Sequence, residues 1–148
     1  MKILVINGPN LNMLGRRQVT IYGPQTLEDI GNLLQKRAGE LGVEVTFYQS
    51  NSEGDIIDFI QREAPSAQGI IINPGALTHY SFSLRDALAT FDLPVIEVHL
   101  SNIYAREEWR ARSVIAPAVK GQISGLGWRG YMAALDVLAA ELAPETGR

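Results

Sequence analysis

The 148-residue sequence contains no cysteine, which excludes disulfides and thiolate metal sites. It has only two histidines, His79 and His99, and they form no pair with a familiar metal-ligand spacing, so no metal site is expected. Lysine is scarce as well. Lys2 opens an apolar run, Lys36 sits inside a helical pattern and Lys120 precedes a weak strand. None stands at a strand end where a Schiff base would be useful. The net charge is −3, with neither a basic stripe for nucleic acid nor an acidic tail for a partner. No apolar run approaches the roughly 18 residues of a membrane span. The opening "MKILVING" is too short for the apolar core of a signal peptide and lacks a cleavage site. A cytoplasmic globular chain is expected, with no membrane partner.

What is present is ordinary in bulk, at 46% hydrophobic and 20% charged residues, and informative in order. The runs at 2–7, 43–48, 69–73 and 94–100 are short and β-branched, with a weaker fifth at 121–125. The third, "GIIIN", has no polar alternation and suits a strand covered on both faces. Between them lie helical patterns. Thr26 and Asp29 open a helix with Leu27, Ile30, Leu33, Leu34 and Leu41 on one face, stopped by Gly42. Ser52 and Asp55 open a second, with Ile56, Ile57 and Ile60 as its stripe. Ser81 caps a third, and residues 128–143 make the last.

This alternation predicts an α/β fold over a single domain, residues 1–148, with a tail that frays from about Pro144. Five strands in this length fit a flavodoxin-like, doubly wound parallel sheet with helices on both faces. In the order 2-1-3-4-5, ligands bind where the loops after strands 1 and 3 part. The unusual polar residues gather at those strand ends: "NGPNLNMLGRRQVTIYG" (7–23), "NPGALTHYS" (73–81) and "HLSN" (99–102).

Familiar phosphate chemistry does not fit there. The spacing from Gly8 to Gly15 is wrong for a P-loop, the dinucleotide fingerprint is absent, and Asn73 stands where a phosphoacceptor domain needs Asp. Acid–base chemistry remains. A phenol is a weak base near neutrality unless positive charge stabilises its anion, and Arg17 lies five residues before Tyr22. Glu97 and His99, two apart on a strand, point to one face, where a carboxylate can fix the imidazole tautomer. Each residue alone also has a plainer reading. Tyr22 could be a rim aromatic, Arg16 and Arg17 a solvated pair, Asn12 a turn residue, and His99 a buried ring on a carbonyl. A binding or regulatory module of flavodoxin-like fold, without catalysis, is the alternative.

Three stretches, "GPNLNMLGRR…YG", "NPGALTHYS" and "EVHLSNIYAREEWR…S" followed by "GQISGLG", resemble the type II 3-dehydroquinate dehydratases of the shikimate and quinate pathways. The resemblance runs from residue 3 to about residue 131. It implies conversion of 3-dehydroquinate to 3-dehydroshikimate without a cofactor. It also implies Tyr22 as general base, Arg17 as its activator, His99 as general acid with Glu97 as partner, and Asn12 as the residue that stabilises an enolate with a held water. Asn73, His79, Leu100, Ser101 and Arg110 match substrate-binding positions, and Asp86 matches one that reaches a neighbouring subunit's site. The resemblance further implies trimers gathered into a homododecamer. One departure stands out: Gln18-Val19 replaces the Glu-Pro usual after the arginine, which predicts a less stiff lid over residues 15–23, hinged at Gly15 and Gly23.

Overall fold

A computed structural model describes residues 1–144; the frayed tail expected beyond them lies outside the described residues. Five strands form one parallel sheet in the order β2-β1-β3-β4-β5. They are β1 (Lys2–Asn7), β2 (Glu44–Gln49), β3 (Gly69–Asn73), β4 (Val95–His99) and β5 (Gly121–Ser124). The helices are α1 (Val19–Tyr22), α2 (Leu27–Leu41), α3 (Glu53–Glu63), α4 (Phe82–Ala89) and α5 (Arg129–Leu142). The fold is the expected one. Among the described residues no helix is long and apolar enough to cross a membrane.

The helix ends follow the capping chemistry of the sequence. Asp29 N–H donates to Thr26 Oγ1 at 3.1 Å and Thr26 N–H to Asp29 Oδ2 at 3.0 Å, a reciprocal capping box. Ser52 and Ser81 accept from the N–H groups of Asp55 and Leu84. Gly42 ends α2 in the left-handed conformation. The N–H of Val43 then returns to Ala38 O, which is why β2 starts one residue later than its apolar run.

Alternate residues of the central strands feed two cores. Ile3, Val5, Ile71, Ile96 and Val98 pack under α2 and α5, whereas Leu4, Ile6, Ile70, Ile72 and Val95 pack under α3 and α4. Each fully buried aliphatic side chain contributes about 1.5–3 kcal/mol, so both faces of β3 are strongly held. The buried stripe of α2 is Ile30, Leu34 and Ala38. Leu33 instead lies beside Asp29, Asn32 and Lys36 at a shallow surface groove.

These layers bring the strand ends together. Gly8 N–H donates to Asn73 O at 2.8 Å, and a Cβ on Gly8 would lie 2.4 Å from Pro74 O. Only glycine allows the loops after β1 and β3 to touch, and the residues that flank the contact, Pro9, Asn73 and Gly75, line the site.

Candidate active site

A pocket of about 120 Å³ opens at the carboxyl ends of β1, β3 and β4. Its walls include Asn10, Arg17, Tyr22, Asn73, His79, His99, Leu100, Ser101, Arg106 and Arg110. The structure therefore unites most of the residues singled out in the sequence. Two are elsewhere. Asn12 is exposed and lines a separate cavity beside α2 and β2. From the same loop Pro9, Asn10 and Leu11 line the pocket, Asn10 with a left-handed backbone (φ 70°). Its N–H is held by Asn51 Oδ1 at 2.9 Å. Asn10 and Asn12 flank Leu11, which is buried and points the short 3₁₀ turn Leu11–Met13 into the core. Asp86 sits exposed on α4, outside the pocket of its own chain.

The segment expected to be a lid is a single helical turn, α1. The N–H groups of Ile21 and Tyr22 both donate to Gln18 O. Gly15 and Gly23, the expected hinges, have φ of 82° and 89°. Gln18 takes the left-handed conformation (φ 41°, ψ 50°) as the N-cap of this turn. A proline at position 19 would push its predecessor toward extended backbone. Gln18-Val19 thus permits an entry into the turn that Glu-Pro would oppose.

The turn delivers Tyr22 between two guanidinium groups. Arg17 lies 4.7 Å from the centre of the Tyr22 ring. Arg106 Nη1 donates to the Tyr22 hydroxyl at 2.9 Å and reaches Ser101 Oγ at 3.2 Å. Arg106 went unrecognised in the sequence, although it lies within the quoted "YAREEWR" stretch. Its position four residues before Arg110, in the loop leaving the site strand, was the available signal. The Nε of Arg17 is buried without a hydrogen-bond partner. Arg110 pairs with Glu107 and stacks over Trp109, its guanidinium 4.1 Å from the ring centre.

Opposite lies a buried acid–imidazole pair. Glu97 is wholly buried and accepts from His99 Nε2 at 2.5 Å, Thr78 Oγ1 at 2.6 Å, Ser113 Oγ at 2.9 Å and Gln122 Nε2 at 2.9 Å. Burial by itself would raise the Glu97 pKa. The hydrogen bonds from His99 and Thr78, the charge of His99 and the Gln122 amide outweigh it and hold the carboxyl below its ordinary value. With Nε2 committed to Glu97, His99 has Nδ1 left for the pocket. His79 donates Nδ1–H to the Arg112 carbonyl at 2.7 Å. Burial, reinforced by the nearby charges of His99 and Arg110, lowers its pKa against the effect of that carbonyl. With Nδ1–H given to that carbonyl, the neutral ring presents Nε2 as an acceptor. None of the three lysines lines the pocket; Lys2 pairs with Glu63 and Lys120 with Glu141.

The family model for "Dehydroquinase class II" matches residues 1–139. The chain belongs to the class II dehydroquinases. Among the family's curated proteins, a 3-dehydroquinate dehydratase of Roseiflexus castenholzii is 62% identical over 138 residues, 93% of this chain and 88% of that protein. The 3-dehydroquinate dehydratase of Bacillus subtilis is 52% identical over 143 residues, 97% of each chain. The crystal structure of the type II dehydroquinase from Butyrivibrio crossotus superposes with a TM-score of 0.91 at 51% identity, covering 93% of this chain and 97% of that one.

Proposed function

We propose that this dehydroquinase converts 3-dehydroquinate to 3-dehydroshikimate and water by acid–base elimination through an enolate. The observation that carries the reading is the pairing of Tyr22, set between Arg17 and Arg106, with the Glu97-supported His99 in one pocket. Two guanidinium groups stand beside the Tyr22 ring and hydroxyl, where the base would carry its negative charge. The Tyr22 phenolate takes the proton from the carbon next to the ketone, and the C–H electron pair moves into an enolate. Neutral donors stabilise the enolate oxygen. In this site that role falls to Asn10, which lines the pocket, and not to Asn12.

The enolate then re-forms the ketone and expels the β-hydroxyl, which takes a proton from protonated His99 at Nδ1 and leaves as water. Glu97 supports the imidazolium charge and fixes the ring. Afterwards Tyr22 loses its proton and His99 regains one, so the catalyst is unchanged. Backbone N–H groups and the hydroxyl at Leu100 and Ser101 suit the substrate carboxylate, and Asn73, His79 and Arg110 suit its ring oxygens.

The exposed place of Asp86 on α4 is consistent with a subunit arrangement in which it reaches a neighbour's pocket. We assign the assembly as trimers gathered into a dodecamer, and the enzyme to the cytoplasm and the shikimate or quinate route. A ligand-binding module without catalysis has no use for a buried Glu–His pair facing an Arg–Tyr turn. The test is direct. Dehydration creates a conjugated enone, so ultraviolet absorbance grows when the protein meets 3-dehydroquinate. No growth at ample enzyme contradicts the proposal.

A further inference from the structure

We propose that Tyr131 is a positioning residue for the reaction: its hydroxyl, clasped between Asn73 and Asn7, fixes the Asn73 amide as a hydrogen-bond donor to substrate. This rests on the reading of Asn73 as a substrate contact.

The direction of every bond in the cluster follows from its first member. A backbone N–H can only donate, and that of Gly75 donates to Asn73 Oδ1 at 3.1 Å. The Asn73 amide is thereby oriented with Nδ2 toward Tyr131, to whose hydroxyl it donates at 2.9 Å. Having accepted that bond, the hydroxyl sends its own proton to Asn7 Oδ1 at 2.6 Å. Burial keeps the phenol protonated by raising its pKa well above the ordinary tyrosine value, so the last bond persists at any working pH. One of the two Nδ2 hydrogens of Asn73 is used in this chain. The other is the hydrogen proposed to reach the substrate, since Asn73 lines the pocket.

The placement is equally constrained. Asn7 and Asn73 are the last residues of β1 and β3 and face each other in register. Both are 3% exposed, and Tyr131, near the start of α5, is fully buried. Asn73 belongs to the catalytic pocket, whereas Asn7 and Tyr131 line the second cavity of about 560 Å³, walled by apolar residues such as Val5, Ile30 and Leu34. Three polar side chains thus form a partition between the two spaces. A partition needed only for packing would be apolar, since buried polar groups are tolerated only when every bond is made. What the hydroxyl adds is a second anchor, at Nδ2, that holds in place an amide whose polarity the Gly75 N–H sets.

The experiment is a kinetic double-mutant cycle with 3-dehydroquinate on the wild type, Tyr131→Phe, Asn73→Ala and the double variant. Tyr131→Phe is expected to raise KM several-fold, up to about tenfold, the change carried by one hydrogen bond of ordinary strength. Its kcat should stay within about threefold, because the phenol touches no reacting atom. Added to Asn73→Ala, it should change nothing further. A wild-type KM for Tyr131→Phe, or an equal loss on the Asn73→Ala background, overturns the proposal, the second outcome marking a merely structural role. Wild-type kinetics for Asn73→Ala alone would instead remove Asn73 from the substrate contacts, and this proposal with it. If Tyr131→Phe does not fold, Asn7→Ala takes its place: the same KM rise, silent on the Asn73→Ala background, supports the proposal, and an independent loss contradicts it.

Discussion

Arg106 and Tyr22 stand 84 positions apart in the chain, yet the Arg106 guanidinium donates to the Tyr22 hydroxyl at 2.9 Å. The bond ties the turn after β1 to the loop after β4 across the mouth of the pocket. It also places a positive charge beside the oxygen that carries a negative one in the proposed mechanism. Arg17 supplies the second charge from within the turn itself, against the ring rather than the hydroxyl.

Replacing the base should leave the fold alone. Tyr22 is half-buried and its ring packs against the edge of the core; Tyr22→Phe keeps that ring, so the variant is expected to keep the wild-type circular dichroism and Tm. Its kcat should fall by at least about 10²-fold, the low end for lost acid–base catalysis. Near-normal turnover would remove Tyr22 as base.

Arg106→Ala should lower kcat by about 10- to 100-fold, the loss of one charged hydrogen bond to the reacting group. Arg106→Lys should recover only part of it, since a single ammonium cannot serve the Tyr22 hydroxyl and Ser101 Oγ in the same fixed geometry. Steady-state kinetics on both variants decides the matter; full activity of the alanine variant contradicts it.

Asn10 and Asn12 separate cleanly. Asn10→Ala, which removes the donor in the pocket, should reduce kcat by about 10²-fold. Asn12→Ala, which touches only the neighbouring cavity, should remain within about twofold of wild type. The reverse result would restore Asn12 to the role that the family resemblance alone suggests.

Much of this was legible in the sequence, for local reasons. Caps such as Thr26–Asp29 and Ser81, the uninterrupted "GIIIN" and the stop at Gly42 are decided by neighbours within four residues, and the structure keeps all of them. The Glu97–His99 pair was readable because strand periodicity alone puts both on one face. Asn10 and Asn12 were not separable, because which of them faces the pocket depends on a left-handed residue and a buried Leu11 that no spacing rule encodes. Arg106 and Tyr131 act through partners 84 and 58 positions away. Only the folded sheet brings such pairs together.

The Glu97 carboxyl makes stability depend on acid. Its pKa is lower folded than unfolded, so the unfolded state binds the proton more readily. The stabilisation is fully present above the ordinary glutamate value of 4.5 and is lost as pH falls through the lower folded value. Glu97→Gln should therefore lower stability at neutral pH by about 1–3 kcal/mol, because an amide cannot satisfy all four donors. It should also flatten the acid limb of the stability curve. Thermal melts of both proteins between pH 3 and 7 check this; parallel curves would show that Glu97 is not the titrating group.

A crystal structure of the enzyme with a planar mimic of the enolate decides which group acts as the base. The Tyr22 hydroxyl is expected about 3–3.5 Å from the trigonal carbon that replaces the deprotonated centre, with Asn10 at the enolate oxygen and His99 Nδ1 on the leaving-group side. Another side chain at that carbon, or Tyr22 turned away to solvent with the mimic bound, would contradict Tyr22 as the base.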